Sequence, residues 1–310
     1  MLAVAIERYG GPEELALMEL SPPDSADGDV LVRVDAAGVG LWDAKVRRGE
    51  AGRDHEFPLI LGWEAAGSVE RVGPGVSTLR PGDRVFTYAY GRGAYAELVA
   101  APAEHTALAP ERADAAVAAA LPICGITAHQ AITEDLDVQA GERVLITAGA
   151  GGTGALAIQL AAARGAEVIA TASARNRGFC ASLGAAHVID YTRENVEDAV
   201  RSRYREGVDA LLECVGGENF DRSIRSVRRG GRAVGLVDEP PGGTPDGVRV
   251  TAIVGRPSAS RLAELARLYD AGELRLEVQE TYPLAAAARA HAAVEARHVR
   301  GKLVLTVRGA

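Results

Sequence analysis

A glycine-rich turn between a short apolar strand and an alanine-rich helix is the part of this sequence best suited to chemistry. The segment Gly149–Gly154 reads GAGGTG and matches the pattern G-x-G-x-x-G. Gly149 permits the tight turn, Gly151 lets the backbone approach a pyrophosphate, and Gly154 lets the helix pack closely against the sheet. The N–H groups at the start of the helix attract phosphate. The spacing therefore predicts a dinucleotide-binding turn.

The residues after the second strand of this unit predict which dinucleotide binds. A NAD-binding protein usually places Asp or Glu at the end of that strand to accept hydrogen bonds from the ribose. No acid occurs between positions 170 and 182, where the chain carries Ser173, Arg175 and Arg177. A hydroxyl and two guanidinium groups suit a 2′-phosphate, so NADPH is the predicted cofactor. The alternative is a solvated helix start with Ser173 as its N-cap.

The elements that must position the turn follow from the pattern of the whole chain. Residues 1–110 are rich in glycine, proline and short strand signals, which indicates an all-β module. From Arg143 onward strands alternate with helices, which predicts an α/β fold with a doubly wound parallel sheet. We expect the tail after about residue 271 to rejoin the β module. The predicted domains are a substrate domain of residues 1–118 and 258–310 and a nucleotide-binding domain of residues 119–257.

Composition and charge exclude several classes of protein. The net charge of −8 over 310 residues leaves no basic footprint for nucleic acid or an anionic membrane. The arginine-rich stretch 222–232 is the local exception, and we expect a solvated helix face there. The three cysteines include no C-x-x-C pair, which excludes a disulfide framework or a four-cysteine zinc site. Without a signal-peptide pattern or an uninterrupted apolar run of about 18 residues, we expect a soluble, cytoplasmic protein.

Further motifs share a fixed order with the glycine turn, and together they give the chain a family resemblance. They are Ala37–Asp43, Phe57–Gly67, Val72–Val76, Arg80–Val85 and Gly301–Leu305. Over essentially its full length the chain resembles the medium-chain dehydrogenase/reductases, and within them the zinc-independent quinone oxidoreductase (zeta-crystallin-like) branch. The resemblance implies a GroES-like β-rich catalytic domain, a Rossmann domain that binds NADPH, and hydride transfer to a small-molecule substrate.

The zinc-binding members of that family carry a cysteine in the first of these motifs and a histidine in the second. Here Leu41 and its neighbours stand in the cysteine region, and Trp63 stands in place of the histidine. Tryptophan offers zinc no lone pair, and Glu64 alone cannot build a three-ligand site. The six histidines show no ligand spacing, and we expect them to be surface or ordinary structural residues. No metal is predicted.

Without a metal, the chemistry favours acceptors whose reduced form needs little stabilisation. Hydride addition to a plain ketone makes an alkoxide that needs a Lewis acid or a strong proton donor. A reduced quinone resembles a phenolate, whose conjugate acid has a pKa of roughly 10, and an activated C=C bond yields a delocalised enolate. The predicted function is NADPH-dependent reduction of quinones or related conjugated carbonyl compounds. The alternatives are an enoyl reductase of fatty-acid or polyketide metabolism and a catalytically silent NADPH-binding sensor.

The family resemblance also implies cofactor contacts for single residues. Gly151, Gly152 and Thr153 would contact the pyrophosphate within the turn from Gly149 to Gly154, and Ser173, Arg175 and Arg177 would hold the 2′-phosphate. Three further residues are Tyr191 beside the adenosine phosphate, Thr127 near the nicotinamide, and Lys302 reaching the cofactor. Val215 completes the set in the loop after the fourth strand of the nucleotide domain, where ligands gather at the carboxyl edge of a parallel sheet. The alternatives are a surface aromatic at Tyr191, a helix-packing threonine at Thr127 and a solvated Lys302.

The candidates for the acceptor pocket are Trp42, Asp43, Tyr88, Tyr90 and Tyr95. Trp42 would form an aromatic wall for a flat quinone ring. We expect each of the five to line or pack the pocket rather than to donate a proton, so the catalytic residue is not identified.

The last strand of the nucleotide domain, residues 248–254, is predicted to pair with its twin in a homodimer. Such pairing extends the sheet and removes an exposed edge. A capped monomer is the alternative.

Overall fold

Two units make up the chain in the computed structural model, which describes residues 1–51, 55–236 and 244–308. The first unit comprises Met1–Ile126 and Pro257–Ala310, and the second comprises Thr127–Arg256. The boundary between Ile126 and Thr127 lies inside a long helix. Ile123 N, before that boundary, donates a hydrogen bond to Glu64, so the first part of the helix is bound to the first unit. The sequence-based boundaries at 118/119 and 257/258 remain a prediction for the functional domains.

Strands are the main regular elements of residues 2–108, and turn residues separate the apolar runs that form them. The strands are β1 (Leu2–Ile6), β2 (Ala16–Glu19), β3 (Asp29–Val39), β4 (Leu59–Ile60), β5 (Glu64–Val72), β6 (Arg84–Tyr88), β7 (Leu98–Pro102) and β8 (Thr106–Leu108), with helices α1 (Leu41–Arg47) and α2 (Ala115–Gln130). β3 is the longest strand, and it pairs antiparallel with both β5 and β7. Helix α1 begins directly after β3, so this strand positions the residues of α1.

The second unit alternates strands and helices, as the sequence predicts. Its elements are β9 (Arg143–Ile146), α3 (Gly152–Ala163), β10 (Glu167–Thr171), α4 (Arg177–Ser182), β11 (His187–Ile189), α5 (Val196–Arg203), β12 (Val208–Glu213), α6 (Glu218–Ser223), β13 (Val227–Gly235) and β14 (Arg249–Ala252). The strands form one parallel sheet in the order β11-β10-β9-β12-β13-β14. This is the strand order of dinucleotide-binding α/β domains, and the predicted α/β fold is confirmed.

The chain then returns to the first unit. Its last elements are α7 (Ala259–Asp270), β15 (Val278–Pro283), α8 (Ala287–Glu295) and β16 (Lys302–Thr306). β16 pairs antiparallel with β3, and β15 pairs parallel with β16. The larger sheet of the first unit therefore has the order β15-β16-β3-β5-β6-β8, and β7 also pairs with β3. The end of the chain thus supplies the strand that lies next to the central strand β3.

One expectation, about the arginine-rich stretch, needs correction. The stretch 222–232 is not a helix face, since only its first two residues belong to α6 and the strand β13 begins at Val227. Arg232 of that strand is bound to Glu142 and to backbone carbonyls, because a strand places this side chain beside a neighbouring loop.

The helical segment Ala115–Asp135 is long and apolar enough to cross a membrane by length and composition. Polar residues such as Thr127 and Gln130 interrupt the apolar run, but the segment still meets the criterion of length and mean hydropathy. In the structure, 67% of its apolar window is buried inside the chain, as expected for a helix that packs on its own protein, so the segment is weak evidence for a membrane span.

Candidate active site

The glycine turn joins β9 to α3 and depends on glycine for packing at two positions. A Cβ atom at Gly154 would overlap the carbonyl of Ala148, and one at Gly149 would lie 2.9 Å from the Cβ of Ala170. Gly151 is the N-cap of α3 and provides no side-chain cap. A Cβ there would meet only the carbonyl oxygen of Ala148, at 3.3 Å. The turn therefore leaves the first N–H groups of α3 without a side-chain cap, which is the arrangement that binds phosphate.

A buried carboxylate holds the loop after β12, at the same carboxyl edge of the parallel sheet. Glu213 is fully buried, and its Oε2 accepts hydrogen bonds from the backbone N–H of Val215 at 2.9 Å and of Gly216 at 2.6 Å. Its Oε1 accepts a bond from Thr147 Oγ1 at 3.0 Å, and that hydroxyl accepts one from Cys214 N. The carboxylate thus replaces the hydrogen bonds that this loop would otherwise make with water. Sequence reasoning missed Glu213, because it reads as the polar end of a strand.

The basic segment after β10 is open to solvent. Ser173 precedes a short helical turn but makes no side-chain cap hydrogen bond, so the alternative role as an N-cap is not realised. Arg175 is exposed, and the Arg177 side chain is 55% exposed with Nη2 3.8 Å from Glu194 Oε1. A contact of that length in water contributes little. Both arginine side chains therefore lie at the surface.

The remaining candidates for the cofactor occupy different environments. Tyr191 is 53% exposed, whereas Thr127 in α2 is 9% exposed. Val215 belongs to the loop held by Glu213. Lys302 is neither solvated nor extended away from its own unit: it is 6% exposed, and its Nζ lies 2.6 Å from Glu64 Oε1. The solvated alternative for Lys302 is therefore wrong, because Glu64 lies buried within its reach.

The first unit contains a buried polar cluster made of Glu64, Lys302 and Asp43. Glu64 Oε2 accepts a hydrogen bond from Ile123 N at 2.8 Å, so both carboxylate oxygens have partners. Burial raises the pKa of Glu64, and the charge of Lys302 opposes that rise. Burial acts in the opposite sense on Lys302, but the Glu64 carboxylate keeps the pKa of this ammonium raised. Burial and the attraction between the two groups thus act in opposite senses on each member of the pair.

Asp43 completes the cluster from the first turn of α1. It is 2% exposed, and its Oδ2 accepts a hydrogen bond from Gly40 N at 2.8 Å. Within the described part of the chain, its Oδ1 has no hydrogen-bond partner. Burial raises the pKa of Asp43 to about 7, against the lowering effects of the Gly40 N–H and of Lys302. Asp43 is thus the one member of the cluster with an unpaired oxygen.

An aromatic cluster, formed by Trp42, Trp63, Tyr88 and Tyr90, lies beside these polar groups. Trp63 is at its centre, with ring centroids 5.8 Å from Trp42 and 5.6 Å from Tyr90 in edge-to-face geometry. Trp63 and Tyr88 are buried, whereas Trp42 is 41% and Tyr90 42% exposed. Edge-to-face pairs of this kind stabilise one another beyond their burial alone. The cluster therefore offers exposed aromatic surface on a fixed base.

A second buried network, which sequence reasoning missed, lies behind Tyr95. Arg47 is 1% exposed, and it donates to His291 Nδ1 at 3.0 Å and to both oxygens of Glu295 at 2.9 and 3.0 Å. His291 Nε2 lies 3.3 Å from the Tyr95 hydroxyl. Burial and the neighbouring charges of Arg47 and Arg48 lower the pKa of His291 to about 3, so this ring is neutral. An arginine in a short helix ordinarily predicts a surface residue, and no local signal marks Arg47 as buried.

The second unit has the features that a dinucleotide needs: an uncapped helix N-terminus, space beside Gly151 and exposed guanidinium groups after β10. Among residues 1–51, 55–236 and 244–308, no group of three or more His, Cys, Asp or Glu side chains is arranged to hold a metal ion.

The chain is similar to known dehydrogenases and oxidoreductases. Residues 26–111 match the model of the alcohol dehydrogenase GroES-like domain, and residues 183–305 match a model described as zinc-binding dehydrogenase. A quinone oxidoreductase of Sus scrofa is 31% identical over 98% of this chain and 97% of its own length. A chloroplastic NADPH-dependent alkenal/one oxidoreductase of Arabidopsis thaliana is 32% identical over 98% of this chain and 79% of its own.

Among solved structures, the Escherichia coli quinone oxidoreductase complexed with NADPH superposes with a TM-score of 0.92. It is 28% identical and covers 99% of this chain and 100% of its own. The GroES-like domain that the sequence predicts is therefore confirmed.

Proposed function

The chain belongs to the quinone oxidoreductase branch of the medium-chain dehydrogenase/reductase family, and we propose that it is an NADPH-dependent, zinc-independent reductase of quinones and related conjugated carbonyl compounds. The family assignment makes the protein an oxidoreductase. The cofactor preference, the independence from zinc and the class of acceptor are the parts that we propose.

Trp63 supports the proposal above the other residues: by the family resemblance it stands where zinc-binding relatives carry a histidine. Its indole is the centre of the aromatic cluster, in contact with Trp42 and Tyr90. A residue that cannot bind a metal thus supports an exposed aromatic surface. Such a surface suits a flat conjugated ring, which stacks or packs edge-on against indole and phenol. Trp63 thus helps to bind a conjugated ring at the position where a relative would bind a metal.

Different parts of the second unit bind different parts of NADPH. The N-terminus of α3 binds the pyrophosphate, with Gly151, Gly152 and Thr153 in contact. Ser173, Arg175 and Arg177 bind the 2′-phosphate by charge-assisted hydrogen bonds. Glu213 orients the loop at Val215, and Thr127, Tyr191 and Lys302 are further contacts of the cofactor. NADPH supplies a hydride when it is bound.

The relatives also support NADPH as the cofactor. The Escherichia coli enzyme is complexed with NADPH, and the Arabidopsis thaliana enzyme is NADPH-dependent by name. We further propose that the protein acts on small molecules without nucleic-acid or membrane partners, because its net charge of −8 provides no basic surface for either. The cytoplasmic location expected from the sequence remains a prediction.

A panel of acceptors tests the function. Benzoquinone, naphthoquinone, an aliphatic enone and an enoyl thioester are supplied with NADPH or NADH, and cofactor oxidation is followed by absorbance. We expect NADPH oxidation with the quinones and the enone. Preference for the thioester would favour the enoyl reductase, and tight NADPH binding without oxidation would favour the sensor.

Two further measurements address the acceptor surface and the metal. Trp42→Leu should raise KM for naphthoquinone more than KM for the aliphatic enone, because only the former stacks on the ring. Metal analysis after extensive dialysis should find no stoichiometric zinc, and one zinc per chain would contradict zinc independence.

A further inference from the structure

The proton that reduction requires has no source in the function proposed so far. Hydride transfer leaves the acceptor as an anion, which must gain a proton to become the neutral product. Water can supply that proton, and so can a side chain placed beside the reacting atoms. Among the acceptor candidates only Asp43 is a carboxylic acid. The sequence indicates that Asp43 lines the pocket, whereas its surroundings in the structure suit a group that donates a proton.

We propose that Asp43 is the proton donor of this enzyme, and that it holds the transferable proton on Oδ1. The inference rests on the proposed function. A buried carboxylate oxygen without a partner costs free energy, and the cost disappears if that oxygen carries a proton or faces a ligand. Asp43 Oδ1 is such an oxygen in the described part of the chain, whereas Oδ2 is fixed by Gly40 N.

Burial and the nearby Glu64 favour the protonated form of Asp43. Glu64 from β5 is a second carboxylate, already bound to Lys302 of β16. Since Lys302 is engaged at 2.6 Å by Glu64, it compensates a negative charge on Asp43 only partly. Tyr88 from β6 and Tyr95 also face the cluster, and their phenols have pKa values raised first by burial. Burial accordingly dominates, and the pKa of Asp43 is raised to about 7.

Asp43 also lies close to the surface on which we place the acceptor. Trp42, its neighbour in α1, is exposed and belongs to the aromatic cluster. Tyr88, on which the charge of Asp43 acts, packs against Tyr90 of the same cluster with ring centroids 5.8 Å apart. A Cβ at Gly40 would lie 3.5 Å from Asp43 Oδ2 and 3.6 Å from Lys302 Nζ, so these two side chains converge beside Gly40. Asp43 thus adjoins Trp42 in α1 and lies near enough to Tyr88 for its charge to act on that phenol.

The network behind Tyr95 fixes the direction of its hydroxyl. A guanidinium can only donate, so Arg47 requires His291 Nδ1 to be the acceptor and places the ring proton on Nε2. Nε2–H then donates to the Tyr95 oxygen, 3.3 Å away. The Tyr95 O–H is left to donate toward Asp43, and this interaction lowers the pKa of that carboxyl. Tyr95 is therefore a positioning residue that keeps the Asp43 proton transferable.

The proton balance of the cycle is simple. The acceptor gains a hydride, NADPH is oxidised to NADP⁺, and the reduced acceptor carries one negative charge. The O–H bond at Asp43 Oδ1 breaks, and the proton forms a new bond with that anion. The carboxylate left on Asp43 takes a proton from water before the next turnover.

The first readout needs no turnover. Infrared difference spectra of the whole chain without cofactor should show a protonated-carboxyl band at pH 6 that fades with a midpoint near pH 7 and is absent in Asp43→Asn. Tyr95→Phe should keep the band and move its midpoint upward. Asp29→Asn, which removes another buried aspartate at the far end of β3, should leave the band unchanged. An ionised Asp43 at pH 6 would overturn the inference.

The second readout is turnover across the acceptor panel. Asp43→Asn should lower kcat by about 10²-fold for the enone, within the usual range of general acid catalysis, and much less for quinones, whose reduced anions are less basic. In the wild type kcat for the enone should fall as pH rises above 7, and this limb should vanish in Asp43→Asn. Equal losses for all acceptors, or an unchanged kcat, would contradict a proton donor. A wild type that reduces no acceptor while the infrared band remains would instead contradict the proposed function.

Discussion

Lys302 and Glu64 form a buried ion pair, with Nζ 2.6 Å from Oε1 and with side-chain exposures of 7% and 1%. The pair joins β16 to β5 across a sequence separation of 238 residues. Gly38 in β3 makes room for it, since a Cβ there would overlap Glu64 Oε1. The lysine that the family resemblance directs to the cofactor is therefore engaged within its own unit, and the pair has consequences for stability.

Removing one partner of this pair should destabilise the protein severely. Lys302→Met leaves an uncompensated buried carboxylate, and Glu64→Gln leaves a buried ammonium, each at a cost of about 3–5 kcal/mol. In Lys302→Met combined with Glu64→Gln no net charge is buried, so the double variant should lose less than the sum of the single losses. Urea unfolding monitored by circular dichroism measures the three free energies. Additive losses would show that the two groups do not interact.

The stability of the protein should depend on pH through Asp43. The unfolded chain releases this proton near its ordinary value of about 4, whereas in the folded chain the pKa is about 7. The folded state binds more protons between these values, so stability falls as pH rises from 4 to 7 and is flat beyond. The free energy of unfolding of Asp43→Asn should lack this fall. Urea titrations of both proteins from pH 4 to pH 8 give the difference, and parallel curves would contradict it.

Arg175 should determine the preference for NADPH. Arg175→Ala should weaken NADPH binding by about 1.5–3 kcal/mol, the scale of a charge-assisted hydrogen bond, and leave NADH nearly unchanged. Fluorescence titration of both cofactors measures this. Arg222→Ala, at a 66% exposed arginine of α6, is the matched control and should affect neither. Equal losses for both cofactors would remove the basis for a 2′-phosphate site.

Glu213 should affect both cofactors alike. Glu213→Gln keeps the size of the side chain but replaces one carboxylate oxygen by an amide that cannot accept from Val215 or Gly216. The loop loses its fixed conformation, so Kd for NADPH and for NADH should rise by a similar factor of about tenfold. The same titrations apply. A selective loss of NADPH would instead link Glu213 to the 2′-phosphate.

The predicted homodimer through strand 248–254 remains a proposal, and β14 is the edge of the parallel sheet in the described residues. Val254, just beyond this strand, is 67% exposed. Sedimentation should give about twice the chain mass of 32.3 kDa, and Ala252→Pro, which removes a backbone donor from the edge, should shift it to the monomer. A monomeric wild type would favour the capped alternative.

Local patterns predicted the second unit well. The glycine spacing, the alternation of strands and helices, and the absence of an acid from 170 to 182 are all short-range features. A β-strand and a helix start are recognised within a few residues, so the turn at 149–154 and its place between β9 and α3 follow from sequence alone.

The buried polar groups of the first unit could not be predicted in the same way. Arg47 and His291 are 244 positions apart, and their hydrogen bond depends on how α8 packs, not on either local sequence. Burial of an arginine contradicts its usual preference, so only tertiary structure identifies it. The same holds for Asp43, because the groups around it, such as Glu64 and Lys302, come from distant parts of the chain.

The order of the strands also has a consequence for how the enzyme is made. Residues 1–126 emerge from the ribosome first, yet β3 lacks its neighbour β16, and Arg47 lacks His291 and Glu295, until the chain beyond residue 257 has been synthesised. The second unit is continuous in sequence and has all its strands by then. During synthesis the dinucleotide-binding unit is thus able to fold before the unit that carries the acid, and the capacity to hold a cofactor precedes the capacity to use it.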